Sequence, residues 1–377
     1  MNERKKVVLI GPVYPYRGGI SHYTGLMYRE LAKNHDVEMI SYKMQYPKIL
    51  FHKEQKDYQN DRFKIDDTKY LIHTANPFNI IKTARYIRKL KPDQVIIQWW
   101  HPYFAPCYIL LATFMGKQNL TFVCHNVFPH ERFPLDKLLT KMTLKCGRHF
   151  IVHAKEEATE LKQIMEKPDY QVTPHPSYNA FRFTNLTKEQ ARGVLQIPEN
   201  QKVLLFFGFV RPYKGLKYLI EALPQVVKAF SDIRLMIVGE FAGEDEKNQY
   251  LQQIREAGMT DYVMIEDGYI PDQEVEKYFA ACDMVVLPYE SATQSGIVQI
   301  AYGFEKPVVV TAVGGLPDVV TDGETGYIVP PCNPEKLAEG ILRYYHDHME
   351  DWFHENIKKE ADRFSWERMA EVIDKWI

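Results

Sequence analysis

The sequence of 377 residues is poor in cysteine and has no long apolar run. Its five cysteines are scattered and include no CxxC pair, so it offers neither a disulfide framework nor the usual start of a zinc or redox site. We therefore expect reduced thiols and a cytoplasmic protein. The first apolar stretch, VVLI, is too short for a signal peptide. The most apolar segment, Tyr103 to Gly116, contains Pro106 and is too short to span a bilayer.

Two motifs of dinucleotide-binding enzymes are also missing. Gly11, Gly18 and Gly19 do not form GxGxxG, and the apolar segment Val37 to Ser41 does not end in an acid that could hold a ribose. Both absences argue against a dehydrogenase. No DxD-like pattern occurs in the loops where a ligand is expected, so we expect neither a metal nor a cofactor.

What is present indicates two folded α/β domains. The sequence is 45% hydrophobic and long enough for more than one domain. Short apolar segments alternate with amphipathic ones up to about residue 152, and the same pattern restarts at Val203. Such alternation predicts parallel sheets. The proline-containing segment Tyr170 to Asn185 is the predicted linker, and Ser365 is the predicted cap of a final helix, Trp366 to Ile377.

Charge is divided unequally between the two halves. Residues 1–180 contain 27 Lys and Arg against 17 Asp and Glu, whereas residues 181–377 contain 20 against 32. Lys43 to Lys91 alone has twelve basic and five acidic residues, interleaved with aromatic ones. This pattern is typical of a solvated basic face or of attraction to an anionic membrane surface. No nucleic-acid-binding motif accompanies it.

Two segments of the second half predict an anion site. After a predicted strand, the loop Thr293, Gln294, Ser295 leads into a helix at Gly296, so backbone amides of this segment lie at a helix amino terminus. Such a position suits a diphosphate, although an ordinary capped helix has the same pattern. Arg211 and Lys214 follow another predicted strand and can supply cations to the same anion.

These motifs, in this order, resemble the family-4 retaining glycosyltransferases of GT-B fold. The resemblance covers nearly the whole chain and rests on Gly18-Gly19, His125-Asn126, the Arg211/Lys214 loop, Val238-Gly239, Asp267 to Pro271, Gly314-Gly315 and the closing Phe364 to Ile373. It implies two Rossmann-like domains that face each other across a cleft. Their expected bounds are 1–175 for the acceptor and 176–360 for the nucleotide sugar, with 361–377 as a helix that returns to the first domain.

The resemblance also implies roles for particular residues. It makes Arg211 and Lys214 ligands of the diphosphate, with Thr293, Gln294, Ser295 and Gly296 completing that pocket. Gly239 and Ile270 would lie near the base and ribose, and Gly18 and Gly19 would let the backbone approach phosphate or acceptor. His125 would contact the donor sugar. The implied reaction moves a sugar from a nucleotide diphosphate to an acceptor hydroxyl with retention, without a metal.

Two departures from the family pattern stand out. The two glutamates that the family usually has across this loop and helix are replaced by Ala292 and Ile300. Glu290 can compensate for one of them, and Gln299 is a poorer substitute for the other. Phe209 stands where the family usually has an arginine, which leaves Arg211 to act from two residues further on.

Three function classes therefore stay open. The first is a glycosyltransferase, and the second is a non-catalytic protein that binds nucleotide sugars or acts as a scaffold. The third is a nucleotide-sugar epimerase, for which few carboxylates are available. For the acceptor, the aromatic segment Trp99 to Phe104 indicates a sugar platform, a lipid-linked substrate at the inner face of the plasma membrane, or plain core packing. Assembly of bacterial surface polysaccharide or glycolipid is the working hypothesis.

Overall fold

The chain divides into two compact α/β units. The computed structural model describes residues 4–49, 54–59, 61–129 and 133–377. The amino-terminal unit runs to Pro174 and includes Ser365–Ile377, and the carboxy-terminal unit is His175–Phe364. The short helical turn Ala361–Phe364 belongs to the second unit because Ser177 N donates to the Phe364 carbonyl at 2.8 Å and the Phe364 ring packs on Tyr302. No helix in the described part of the chain is long and apolar enough to cross a membrane.

The amino-terminal unit is built on one seven-stranded parallel sheet. Its strands are β1 (Lys6–Ile10), β2 (Asp36–Met44), β3 (Lys69–His73), β4 (Gln94–Trp99), β5 (Leu120–Cys124), β6 (His149–Val152) and β7 (Asp169–Val172). Its helices are α1 (Gly19–Asn34), α2 (Pro77–Leu90), α3 (Ala105–Met115), α4 (Asp136–Leu144), α5 (Lys155–Ile164) and, from the end of the chain, α14 (Trp366–Asp374). The strand order is β3-β2-β1-β4-β5-β6-β7.

This strand order determines which face each helix covers. Right-handed crossovers from β3 to β4, β4 to β5 and β5 to β6 place α2, α3 and α4 on one face of the sheet, and the crossover from β1 to β2 places α1 on the other. The central strands β4 and β5 are buried at every residue, as strands covered on both faces must be.

The final helix packs on α1, as the resemblance implies. The Trp366 ring lies 5.0 Å from that of Tyr23, whose hydroxyl contacts the Met369 sulfur. Lys33 and Glu367 pair at 3.3 Å on the rim of the same contact. The predicted returning helix is therefore confirmed, with its own cap at Ser365, whose side chain accepts from Arg368 N.

The carboxy-terminal unit is likewise built on one parallel sheet, here of six strands. They are β8 (Lys202–Phe207), β9 (Ile233–Gly239), β10 (Val263–Asp267), β11 (Met284–Leu287), β12 (Val308–Thr311) and β13 (Gly326–Val329), in the order β10-β9-β8-β11-β12-β13. Its helices are α6 (Lys188–Val194), α7 (Leu216–Ala229), α8 (Glu244–Glu256), α9 (Asp272–Ala281), α10 (Gly296–Gly303), α11 (Leu316–Val319), α12 (Pro334–His346) and α13 (Glu350–Lys359). Side chains of α7, α8 and α12 share one core with the sheet.

One sequence expectation needs correction. The predicted linker begins too early, because Asp169–Val172 forms the edge strand β7 and pairs with β6. For Trp99 to Phe104, core packing was one of the alternatives, and it applies to Trp99 and Phe104, which are fully buried; the Trp99 indole donates to the Val127 carbonyl at 3.3 Å. Trp100 and Tyr103 are only partly buried.

A buried ion pair joins the start of the second unit to its sheet. Arg192 and Asp283 are 4% and 6% exposed and lie 3.0 Å apart, and Val203 N also donates to Asp283. Asp283→Ala would leave a buried guanidinium uncompensated, so we expect it to lower the free energy of unfolding by about 3–5 kcal/mol. Chemical denaturation measures the loss. Asp232→Ala, which removes the more exposed pair with Lys202, is the control and should cost about 1 kcal/mol or less. Equal losses in the two variants would contradict this interpretation.

Candidate functional site

A loop with two cations follows β8. The strand ends at Phe207, Gly208 follows it, and Arg211 to Lys214 then form a short turn in which Lys214 N donates to the Arg211 carbonyl. Val210 N donates to the Glu240 carbonyl after β9, which fixes the start of the turn. We call residues 208–215 the cationic loop. Because β8 lies inside the sheet, this loop is anchored on rigid structure.

The Lys214 ammonium lies beside the start of α10. A methyl group built on Gly208 would be 3.3 Å from Lys214 Nζ and 3.5 Å from the Ile297 side chain, so both lie over the same point of the backbone. Lys214 Nζ is also 5.6 Å from the centre of the Tyr289 ring. The cation therefore lies near the first turn of α10, over an aromatic face.

Lys214 carries a charge that its surroundings disfavour. Burial and the neighbouring Arg211 cation lower the pKa of Lys214 to about 8. Within the described residues, neither cation has a carboxylate within 4 Å. Two adjacent cations without a counter-charge favour an anion at this place, because an anion would relieve both desolvation and mutual repulsion.

The cationic loop is held against the loop that follows β11. Gly215 has φ +66°, and a methyl group on it would lie 1.9 Å from the Pro288 carbonyl oxygen. Glu290 N donates to the Tyr213 carbonyl at 2.7 Å, a second link between the same two loops. Only glycine fits the contact at position 215. We call residues 288–295 the hydroxyl loop.

The hydroxyl loop presents the amino terminus of α10. Ser295 occupies the cap position and is buried, but its side chain does not accept from the first-turn amides. The Ser295 hydroxyl lies 3.4 Å from that of Tyr289, whose carbonyl accepts from Thr311 at 2.6 Å. Gly315 N donates to the Thr293 carbonyl at 2.8 Å and fixes the loop from the other side. A helix start that its own cap residue does not satisfy suits an anion.

Two further predicted residues lie at neighbouring strand ends. Gly239 ends β9 with φ +141°, and a methyl group there would lie 2.0 Å from the Gly208 carbonyl oxygen. Ile270 follows β10 and is partly exposed. Since β8, β9 and β10 are adjacent and parallel, Gly239 and Ile270 lie at the same edge of the sheet as the cationic loop.

The substitutes considered for the missing glutamates have other surroundings. The Glu290 carboxylate lies 2.8 Å from Lys217 Nζ on α7, and this contact raises the pKa of the lysine. Gln299 is fully buried, and neither atom of its amide has a hydrogen-bond partner in the part of the chain that the structure describes. Ile300 is 7% exposed. Neither Ala292 nor Ile300 can supply a carboxylate, so a ligand here meets cations and amides.

The other three predicted residues belong to the amino-terminal unit. Gly18 and Gly19 begin α1, and a methyl group on either would meet nothing within 4 Å. His125 follows β5 and is 9% exposed, with Nε2 2.8 Å from the Gln98 side-chain oxygen and its ring at the edge of Tyr23. The nine remaining predicted residues all belong to the carboxy-terminal unit.

Sequence reasoning missed some of the residues that shape the site. Tyr289 and Ile297 lie around Lys214, and Lys217 engages Glu290. Gly314 was recognised only as part of a motif, whereas a methyl group on it would lie 1.5 Å from the Ala292 carbonyl oxygen. For Lys217, the sequence offered one signal: it lies three residues after Lys214, so both lysines are near the start of α7.

Comparison with known proteins agrees with this architecture. Over 232 residues the chain is 28% identical to the D-inositol 3-phosphate glycosyltransferase of Corynebacterium diphtheriae, covering 59% of this chain and 54% of the relative. It is 29% identical over 196 residues to the lipopolysaccharide 1,2-N-acetylglucosaminetransferase of Salmonella typhimurium, covering 50% and 51%. The chain thus matches about half the length of these curated relatives.

Solved structures match over nearly the full length. Sucrose-phosphate synthase of Thermosynechococcus elongatus has a TM-score of 0.74 at 18% identity, covering 99% of this chain and 98% of that one. Anabaena HepE, solved with UDP and glucose, has a TM-score of 0.76 at 17% identity, covering 99% of each chain. These likenesses confirm the GT-B fold, with its two Rossmann-like parallel-sheet domains.

The family match coincides with the unit that holds the cationic loop. Residues 187–364 match the family described as glycosyl transferases group 1, and they make up nearly all of the carboxy-terminal unit. The resemblance to glycosyltransferases is thereby confirmed, while membership of family 4 stays a prediction. The carboxy-terminal unit of this chain is thus similar to a glycosyl transferases group 1 domain over nearly all of its length.

Proposed function

We propose that the protein is a retaining glycosyltransferase that moves a sugar from a nucleotide-diphosphate sugar to an acceptor hydroxyl. The observation that carries the proposal is the pair Arg211 and Lys214, without a counter-charge in the described structure, beside the start of α10 in a glycosyl transferases group 1 domain. Structures of the same fold that were solved in complex with UDP and with UDP-glucose support it.

In this proposal the diphosphate is the leaving group. The bond between the anomeric carbon and the phosphate oxygen breaks, a bond to the acceptor oxygen forms, and the acceptor proton passes to the leaving phosphate. Negative charge grows on the diphosphate during this step. Lys214, Arg211 and the first amides of α10 stabilise it in fixed positions, which is the electrostatic contribution that lowers barriers most. We propose that these groups do this without a metal ion.

The acceptor proposal is broader. The name of the Salmonella relative supports a sugar acceptor in a surface polysaccharide or glycolipid. A non-catalytic binding protein is the second candidate, because Ala292 and Ile300 provide no carboxylate to hold the sugar. Binding of a nucleotide sugar without any turnover would favour that candidate.

Thermal-shift titration with UDP, GDP, ADP and their sugars tests the proposal. We expect one diphosphate series to raise the melting temperature, and the matching sugar nucleotide to be hydrolysed slowly even without acceptor. Both effects should persist in EDTA. The corresponding nucleoside, which lacks phosphates, is the control and should give little shift. If no diphosphate stabilises the protein more than its nucleoside, the proposed site is wrong.

The affinity for the diphosphate should depend on pH through Lys214. The pKa of Lys214 is about 8 in the free protein, and a bound anion would raise it, so binding takes up a proton above pH 8. Above pH 8 the diphosphate is already fully ionised, so its own titration does not contribute to the change in affinity. Affinity should therefore be constant from pH 7 to about 8 and then fall by up to about tenfold per pH unit. Calorimetry measures it, and Lys214→Arg should remove the dependence because arginine stays protonated. A flat profile in the native protein would contradict the assignment.

A further inference from the structure

Three neighbouring helices form one outer surface of the amino-terminal unit. The helix α3 packs against α2 on one side and α4 on the other, and all three cover the same face of the sheet. We call the outward sides of α2, α3 and α4 the three-helix face. It lies within a single unit, whereas the cationic loop and the hydroxyl loop belong to the other unit.

Large apolar side chains project from this face. Leu138 and Met142 are 52% and 49% exposed and lie four residues apart on one side of α4, and Leu135, the residue before that helix, is 67% exposed. Phe78 at the start of α2 is 86% exposed. Leu135 also has φ +73°, a left-handed conformation that a bulky residue rarely adopts. Several such residues together are typical of an interaction surface rather than of scattered surface hydrophobics.

The helix between them is apolar on all sides. The sequence of α3, APCYILLATFM, contains no charged residue, and its inner side fills the core with Tyr108 and Leu111. Its outer side keeps Ile109, Leu110 and Phe114 only partly buried. A helix that is apolar all round is usually covered on every side. The three-helix face therefore lacks a cover in the described structure.

Cations surround these apolar groups. Between Pro77 and Arg148 the sequence has eleven Lys and Arg against three Asp and Glu. One residue of each kind, Arg132 and Glu131, lies outside the described residues. Asp136 is buried, so it does not offset the charge at the surface. The exposed cations on the two flanking helices and just beyond them are Lys82, Arg85, Arg88, Lys89, Lys91, Lys137, Lys141 and Lys145.

The apolar and basic groups are interleaved along the face. Crossover helices of a parallel sheet run in the same direction, so the amino-terminal ends of α2, α3 and α4 lie at one edge. Phe78 and Lys137 are near those ends, whereas Phe114, Met142 and Lys145 are at or near the other ends. Apolar side chains and cations therefore both extend from one edge of the face to the other.

We propose that the three-helix face binds an anionic lipid bilayer. The exposed apolar side chains would enter the interface between headgroups and acyl chains, while the lysines and arginines around them pair with lipid phosphates. A symmetric contact between two copies would bring like charges together, so a second copy fits the face poorly. The exposed leucines and methionine likewise fit a bilayer better than a nucleic acid. This membrane contact does not depend on the donor chemistry.

Vesicle sedimentation of the full chain tests the proposal. The probes are vesicles of phosphatidylcholine alone and of phosphatidylcholine with phosphatidylglycerol in equal parts, each at low and high sodium chloride. We expect binding to the anionic vesicles only, weakened by salt. Leu138→Ser with Met142→Ser, and separately Lys137→Gln with Lys141→Gln, should each weaken it by about tenfold or more. All four residues are exposed, so these variants should keep the native melting temperature.

Matched controls lie in the other unit. Val194→Ser, at a side chain 61% exposed, and Lys336→Gln, at an exposed side chain of α12, should bind anionic vesicles as the native protein does. Equal binding by the Leu138/Met142 variant and the native protein would overturn the proposal. Equal binding to neutral vesicles, or self-association in light scattering that the same variant abolishes, would also overturn it. The experiment measures no sugar transfer, so its failure leaves the proposed donor site intact.

Discussion

Lys214→Met should slow sugar transfer by about 10²–10³-fold and remove the stabilisation by diphosphate, yet make the unliganded protein more stable. The first effect follows from the loss of a cation placed where charge develops on the leaving group. The second follows from the pKa of Lys214, which is about 8 in the folded protein against 10.5 for an ordinary lysine. Below pH 8 the folded state carries a charge that its surroundings disfavour, and this cost disappears only as the pH rises toward 10.5. Because methionine has no charge, Lys214→Met removes this cost at neutral pH.

The gain in stability should be about 1–3 kcal/mol at pH 7. It is measured by chemical denaturation without ligand, and turnover by release of the nucleotide diphosphate. Lys228→Met is the control, since it makes the same substitution at an exposed position of α7. It should change neither stability nor turnover appreciably. A Lys214→Met variant that is less stable, or that still binds the diphosphate fully, would show that the lysine has a structural role instead.

Gly215→Ala should lower the free energy of unfolding by far more than the backbone conformation of this residue alone explains. The φ of +66° costs an alanine about 1 kcal/mol, but the new methyl group would also lie 1.9 Å from the Pro288 carbonyl oxygen. The cationic loop and the hydroxyl loop would have to move apart. We therefore expect a loss of about 3 kcal/mol or more in the free energy of unfolding. Affinity for the diphosphate should fall by about 100-fold, because its cations and its amides lie on these two loops.

Gly258→Ala separates the conformational cost from the contact. Gly258 has φ +69°, nearly the same as Gly215, but a methyl group there would meet nothing within 4 Å. The Gly258→Ala variant should lose only about 1 kcal/mol in the free energy of unfolding and keep its affinity for the diphosphate. Denaturation curves and calorimetry on the two variants give the comparison. Similar losses in both would mean that the two loops do not depend on their close contact at position 215.

The architecture could be predicted because it follows local patterns. Apolar strands alternating with amphipathic helices imply parallel sheets, and most predicted central strands lie within a residue or so of the observed ones. The edge strands β3, β7 and β13 were not predicted. Two of them, β3 and β7, have exposed or half-buried residues and therefore lack the apolar run that marks a buried strand.

The site was predictable only in part. The cations and the helix start could be inferred because each lies on a short loop after a strand. Their closeness could not, because the contact between Gly215 and Pro288 joins residues far apart in sequence. The same holds for the contact between Glu290 and Lys217, which no local pattern of the sequence indicates. Likewise, the aromatic segment at Trp99 has the same composition whether it is core or platform, and only packing decides.

A crystal structure of the protein with the nucleoside diphosphate that stabilises it most tests the central claim directly. We expect phosphate oxygens within about 2.7–3.2 Å of Lys214 Nζ, the Arg211 guanidinium and the first amides of α10. We also expect no metal ion between the phosphates and these groups. A well-ordered nucleotide whose phosphates lie elsewhere, or whose phosphates reach the protein only through a metal, would contradict the account.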